Sequence, residues 1–245
     1  MTASREDAEE LRGRFLELAP EGFEEAEHAD EIELAAYGEA AERILAAFPH
    51  ARSDEVEPGW EHRWREFHRP VRVGPLWIGP PWETPPADAL AVVIDPGLAF
   101  GTGAHPTTRL CLELMLELPR GSVLDVGCGS GVLAIAAVRL GFGPVTALDV
   151  SPAAVEATAA NAAANGAVVD VRQADALADP LPAADVVLAN IAHDAVVVLG
   201  ERFGARHAIT SGYLVTDPPP APPGFARSDR RELDCWAADL FERSG

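Results

Sequence analysis

Lysine is missing from this chain: all 19 of its basic residues are arginine, set against 39 acidic ones, and the net charge is −20. We read the arginine bias as codon usage, without mechanistic weight. The charge tells more, because so negative a surface repels a phosphate backbone and steers a strongly basic protein towards itself. A nucleic-acid substrate is therefore not expected. Cysteine is scarce as well. Cys111, Cys128 and Cys235 form no Cys-x-x-Cys pair and have no histidines at ligand spacing, so neither a disulfide framework nor a metal site is indicated. No apolar run approaches the roughly 20 residues that cross a bilayer, which excludes membrane insertion. Met1-Thr2-Ala3-Ser4-Arg5-Glu6-Asp7 lacks the basic and apolar regions of a signal peptide. A monomer with reduced thiols, acting in the cytoplasm, is the expectation.

With 245 residues, 48% of them hydrophobic, the chain can bury one large core and a small second one. Half of the net charge lies in residues 1–50, where 14 acidic and 4 basic side chains leave 10 negative charges. That surface serves either solubility alone or the attraction of a basic partner. Leu11, Phe15 and Leu18 fall at i, i+4, i+7 and predict a helix over 5–19; Ala41, Ile44, Leu45 and Phe48 predict a second. Between them Ile32, Leu34 and Ala36 alternate with Glu31, Glu33 and Ala35 as a half-buried strand does, while 22–27 and 51–57 are weaker strand candidates. The order α-β-β-α-β is a ferredoxin-like unit, residues 1–57, without its first strand. A start upstream of Met1 would restore that strand.

Residues 58–86 read as a structured linker. Trp60, Trp64 and Phe67 lie on a short helix that ends before Pro70, followed by a proline-rich segment with Trp77 and Trp82. Residues 87–245 form the second domain. Strands at 91–94, 123–126, 145–149, 168–172 and 185–189 alternate with helices at 107–118, 132–140 and 153–165. Such alternation predicts an α/β fold with a doubly wound, mainly parallel sheet. Residues 208–211 are a further core strand, Asp217-Pro218-Pro219-Pro220-Ala221-Pro222-Pro223 cannot be helical, and 227–234 and 236–241 are candidate terminal strands.

Asp125-Val126-Gly127-Cys128-Gly129-Ser130-Gly131 joins one predicted strand to the next helix. Gly127, Gly129 and Gly131 let a ligand approach the backbone, and such turns offer free N–H groups beyond the carboxyl ends of strands. Asp149, ending the next strand, can accept from two ribose hydroxyls or simply cap the helix behind it. A dinucleotide fingerprint would need glycine at position 132, where Val132 stands. Asp125 would repel a pyrophosphate but can pair with the ammonium of a methionine moiety. Both features favour S-adenosylmethionine as cofactor over a dinucleotide. Cys128 reads as a small packed residue.

The stretch Asp95-Pro96-Gly97-Leu98-Ala99-Phe100-Gly101-Thr102-Gly103-Ala104-His105-Pro106-Thr107-Thr108 closely resembles a signature of the ribosomal protein L-11 methyltransferases. The resemblance continues through residues 125–137, Asp149 and Val186-Val187-Leu188-Ala189-Asn190-Ile191, covering roughly 58–214. It implies a ferredoxin-like recognition domain, a linker helix and a seven-stranded Rossmann-like methyltransferase domain. The implied activity is methylation of lysine ε-amines and the N-terminal α-amine of ribosomal protein L-11. It further implies that Thr108, Gly127, Asp149 and Asn190 contact the cofactor and that the loop at Phe100 closes over it.

Each of these residues has a plainer alternative. Gly97, Gly101 and Gly103 suit a mobile lid walled by Phe100 as well as a structural turn. Thr107 and Thr108 sit where hydroxyls cap a helix or touch the cofactor, and His105 is a proton acceptor or a fixed loop residue. Asn190 orients an amine or forms a turn. Asp175 reaches the adenine amino group or is a solvated loop carboxylate; His193 and Asp194 carry no assignment. Methyl transfer asks mainly for alignment and a dry pocket, and no dedicated general base stands out. Two alternatives keep other outcomes in view: methylation of a different basic protein, such as an electron-transfer flavoprotein subunit or a translation factor, and a noncatalytic ribosome-associated module.

Overall fold

The computed structural model describes residues 2–4, 11, 14–15, 18, 24–28, 31–36, 38–48, 50–52, 69–96 and 103–244. The chain divides into two compact units, Met1–Glu61 and His62–Gly245. In the first, strands β1 (Thr2–Ser4), β2 (Glu24–His28) and β3 (Glu31–Ala35) form an antiparallel sheet in the order β1–β3–β2. The strand at Thr2–Ser4, paired with Glu31 to Glu33 of β3, corrects the expectation of a unit lacking its first strand. Three residues are too few to show an alternation in sequence. Helix α1 (Gly38–Ala47) follows β3, and Leu11, Arg14, Phe15 and Leu18 are helical. Leu11, Phe15, Leu34 and Ile44 make the small core. The strand expected at 51–57 and the helix of Trp60, Trp64 and Phe67 fall almost wholly outside the described residues.

The second unit holds two sheets. Strands β4 (Val71–Val73), β5 (Leu76–Gly79) and β6 (Leu90–Val93) form the smaller, β5 pairing antiparallel with β4 and parallel with β6. The proline-rich segment thus contains two strands, and the strand predicted at 91–94 belongs here rather than to the large sheet. Gly74, at φ +53°, reverses the chain between β4 and β5, a conformation glycine adopts without steric cost. On the other edge of β6, Arg139 Nε donates to Ala91 O at 2.9 Å, Val93 N donates to Asn165 Oδ1 at 2.8 Å, and Asn165 Nδ2 donates to Val93 O at 2.7 Å. Asp95 N donates to Asn161 Oδ1 at 3.2 Å.

The large sheet comprises β7 (Val123–Val126), β8 (Val145–Asp149), β9 (Asp170–Gln173), β10 (Val186–Asn190), β11 (His207–Leu214), β12 (Phe225–Leu233) and β13 (Trp236–Arg243). Its order is β12–β13–β11–β10–β7–β8–β9. The five strands from β11 to β9 run parallel, and β13 lies antiparallel to both β11 and β12. The unit's described helices are α2 (Pro106–Leu116), α3 (Val132–Arg139), α4 (Pro152–Ala164) and α5 (His193–Gly200). The two-residue period of a strand sorts its side chains between two cores. Val123, Val145, Ala147, Val186, Leu188 and Ile209 pack with α2 and α3. Leu124, Val126, Leu148, Val187 and Ala189 pack with Leu199 of α5 and Phe203. By the same parity Asp125, registered against Leu188, and Asn190 fall on the α2–α3 side.

Candidate cofactor and acceptor site

From β7 the chain winds outward to β8 and β9, then returns to lay β10 and β11 on the other flank of β7. That reversal opens a crevice beyond the carboxyl ends of β7 and β10, where open parallel sheets bind ligands. Gly127, Gly129 and Gly131 line it at φ +71°, +53° and +82°. A Cβ at Gly127 would stand 2.3 Å from Ile191 Cγ2, and one at Gly131 2.8 Å from Thr158 Cγ2. The turn, however, does not offer the free N–H groups expected of it. Gly127 N and Cys128 N donate to Leu148 O, and Gly131 N to Cys128 O; Gly129 N donates to Asp149 Oδ2 at 3.0 Å. Four donors are spent within the protein, so a pyrophosphate finds no cradle of amides here. A ligand offering hydroxyl donors and positive charge suits the turn better.

Asp149 supplies the acceptors. Its second oxygen accepts from Ser151 N at 2.9 Å, which fixes the carboxylate while each oxygen keeps a lone pair for a ligand hydroxyl. Asp125 lies lower, 1% exposed, with Oδ2 accepting from Ala134 N of α3 at 3.1 Å. Burial pushes its carboxyl up to about 7; the Ala134 hydrogen bond opposes the shift and the charge of Asp149 adds to it. Asp125 thus sits beneath the turn rather than on its rim. Burial also lifts the Cys128 thiol to about 12, leaving a neutral packing group.

Across the crevice, Asn190 Nδ2 donates to Thr108 Oγ1 at 3.4 Å, joining β10 to the first turn of α2. Helix α2 is capped by His105 and not by the threonine hydroxyls: Thr107 N donates to His105 Nδ1 at 3.3 Å, with Thr107 Oγ1 2.8 Å from the same nitrogen. Nδ1 is therefore the acceptor and the ring proton resides on Nε2. Partial burial lowers the imidazole pKa below its ordinary value. The ring meets Trp236 edge-on at 4.8 Å, a neighbour that its distance in sequence concealed. Asp175 is exposed and accepts from Leu177 N at 2.9 Å within its own loop. Phe100 lies outside the described residues, as do Gly101 and Thr102.

Two supports escaped the sequence reading. Thr158 Oγ1 donates to Gly129 O at 2.9 Å, and Asn161 Nδ2 donates to Ser130 O at 2.9 Å. Both are buried residues of the alanine-rich α4. Polar side chains three apart on an otherwise apolar helix face were the available signal. Among the described residues no cluster could hold a metal ion, and no helix is long and apolar enough to cross a membrane.

The family described as Ribosomal protein L11 methyltransferase (PrmA) matches residues 20–217. A ribosomal protein L11 methyltransferase of Serratia proteamaculans is 43% identical over 207 residues, covering 80% of this chain and 70% of the relative. One of Symbiobacterium thermophilum is 47% identical over 224 residues, again with 80% and 70% covered. Among solved structures, a ribosomal protein L11 methylase of Lactobacillus delbrueckii subsp. bulgaricus superposes with a TM-score of 0.64 at 30% identity, over 73% of this chain and all of that one. With this breadth of match, added to the crevice of Gly127, Asp149 and Asn190, the chain belongs to the ribosomal protein L11 methyltransferase family.

Proposed function

We propose that the protein transfers methyl groups from S-adenosylmethionine to lysine ε-amines and the N-terminal α-amine of ribosomal protein L11. The observation that carries this reading is the glycine turn whose amides are already bonded while Asp149 stands at its rim. Such a site suits a cofactor with ribose hydroxyls and a cationic sulfonium, and does not suit a phosphate. Asp149 would hold the ribose, Gly127 would give close backbone approach, and Thr108 and Asn190 would border the far end. Asp125, its carboxyl raised to about 7 by burial, would ionise when an ammonium stands above the turn and so favour it. Thr107, Gly129, Gly131 and Asp175 stay with this proposal as cofactor-side residues, and Phe100 and His105 stay with Asn190 as the catalytic set. Bound there, the cofactor supplies an electrophilic methyl group.

The chain's own part is alignment. Asn190, donating through Nδ2 to Thr108, keeps its carboxamide oxygen to accept an N–H from the incoming amine. The nitrogen must arrive uncharged, and a free lysine of pKa about 10.4 is neutral in only about four molecules per ten thousand at pH 7. Desolvation in the crevice lowers that cost. The acidic composition of residues 1–50 favours a basic protein as acceptor. We also propose that the first unit is ferredoxin-like and recognises the substrate, supported by the order β1–β3–β2 with helical residues between β1 and β2 and α1 after β3. The working protein is read as a cytoplasmic monomer.

Incubating the protein with labelled S-adenosylmethionine and purified ribosomal protein L11 tests the reading, with mass spectrometry locating the methyl groups. Because the enzyme contains no lysine, every methyllysine must come from the added protein. Cofactor binding without any methylated lysine or N-terminus on L11 would overturn the assigned substrate.

A further inference from the structure

Beyond Asn190 the chain is held by contacts that the methyl-transfer reading does not use. Ile191 N donates to Ser211 O at 3.1 Å. Next to it Gly212 adopts φ +102° at an irregularity of β11 and lies so near that a Cβ would stand 2.1 Å from Ile191 O. The irregularity re-aims the following side chain. Tyr213 now reaches Thr210 Oγ1 and Asp239 Oδ2, both at 2.8 Å. Asp239 is fully buried and paired with Arg227 at 3.3 Å and Arg230 at 3.2 Å, so the tyrosine hydroxyl donates into a charge that is itself anchored. Against the ring of Tyr213 stands His193, first residue of α5, edge-on with centroids 5.5 Å apart. His193 Nε2 lies 2.8 Å from Pro218 O. A carbonyl only accepts, so this nitrogen carries the ring proton and donates it.

We propose that His193, braced by Tyr213, is a positioning residue for methyl transfer. It clamps residues 190–192 between α5 and the proline segment after β11 and thereby sets where the Asn190 carboxamide stands. The proposal rests on the methyltransferase reading. It assigns His193 no proton transfer; the role rests on the Nε2–H bond to Pro218 O and on the ring contact with Tyr213. Cofactor binding, at the turn after β7 and the end of β8, should be largely indifferent to the clamp, whereas the transfer step should feel it.

The experiment compares the full-length protein with His193→Ala, His193→Gln and Tyr213→Phe. Glutamine can still donate an amide N–H to Pro218 O. Hydrogen exchange at the Ile191 amide, cofactor affinity by calorimetry, and the rate of methyl transfer to L11 across pH are read in parallel. In His193→Ala exchange should quicken and transfer slow, each about tenfold, with cofactor affinity within about twofold. His193→Gln should recover most of both and keep the wild-type pH profile. Tyr213→Phe, which keeps the ring contact and loses the bond to Asp239, should fall between them. The proposal is overturned if exchange is unchanged in His193→Ala, or if His193→Gln transfers as slowly as His193→Ala or with a shifted pH profile. If wild-type protein binds the cofactor but leaves L11 unmodified, the substrate reading fails instead, and the exchange comparison still decides the clamp.

Discussion

The carboxylate of Asp149 accepts a hydrogen bond from Gly129 N at 3.0 Å, so the end of β8 holds the turn that follows β7. One side chain therefore shapes the turn and, in the proposed site, would also hold the ribose. Replacing it by alanine removes both roles. Charge-assisted hydrogen bonds contribute about 1.5–3 kcal/mol each, which for two of them predicts a loss of about a hundredfold or more in S-adenosylmethionine affinity. Asp149→Asn, which keeps an acceptor for Gly129 but not the charge, should lose about tenfold. Calorimetric titration of both variants checks the ranking.

Asp125 makes folding depend on pH. Its carboxyl rises from 3.8 in the unfolded chain to about 7 in the fold, so between those values the folded state holds a proton that the unfolded state has released. Stability contributed by the neutral acid is full below about pH 4, falls as pH climbs towards 7, and is flat above it. The loss is on the order of a few kcal/mol. In Asp125→Asn, which still accepts from Ala134 N, that decline should vanish. Thermal unfolding should show the variant gaining on wild type at pH 8 and matching it near pH 4; equal gaps at both pH values would contradict the assignment.

Gly127→Ala should be destabilising twice over. Its φ of +71° is strained for alanine, and the new methyl would meet Ile191 Cγ2 at 2.3 Å. Such strain costs about 1–3 kcal/mol, visible as a lower midpoint in denaturant unfolding. Cofactor binding should weaken with it, because relieving the clash moves the turn itself, which gives the proposed close backbone approach.

Thr158→Val keeps the shape of a buried side chain and leaves Gly129 O without its 2.9 Å donor. An unmet buried acceptor costs about 1–3 kcal/mol. A fall in unfolding free energy of that size is expected, together with weaker cofactor binding, while the same change at exposed Thr216 should do neither.

Asn190→Ala should separate binding from transfer. The side chain meets Thr108 at a long 3.4 Å, so its loss should change cofactor affinity by only a few fold. If its oxygen orients the amine, the transfer rate should drop by about a hundredfold. Single-turnover rates with L11 at saturating cofactor measure the split.

Much of this was legible in the sequence because it rests on local pattern. The glycines at 127, 129 and 131 announced their turn, and the apolar runs ending at Val126, Asp149 and Asn190 announced the strands that frame it. Helix α5 was missed because Val196, Val197 and Val198 are β-branched and weaken the helical signal; only burial of Val196 and Leu199 against the sheet decides it. Strands β4 and β5 hid among prolines that occupy their flanks. The amides of Gly127 and Cys128 looked free because Leu148 O, their partner, arrives from another strand. Trp236 against His105 is a packing of a helix N-cap on a distant strand, and Asp239 under Tyr213 a registry between two strands, neither of which a local pattern encodes.

Among the described residues, strand β6 ends its small sheet with one side unpaired by any other strand, the usual place for a second chain to add itself and start an aggregate. Here Arg139, Asn161 and Asn165 already occupy the backbone groups of Ala91, Val93 and Asp95 that point outward. Those side chains serve as a false final strand. The same asparagine whose other end steadies Ser130 thus helps to close that border to foreign strands, so damage to α4 would expose a sticky seam as well as loosen the crevice.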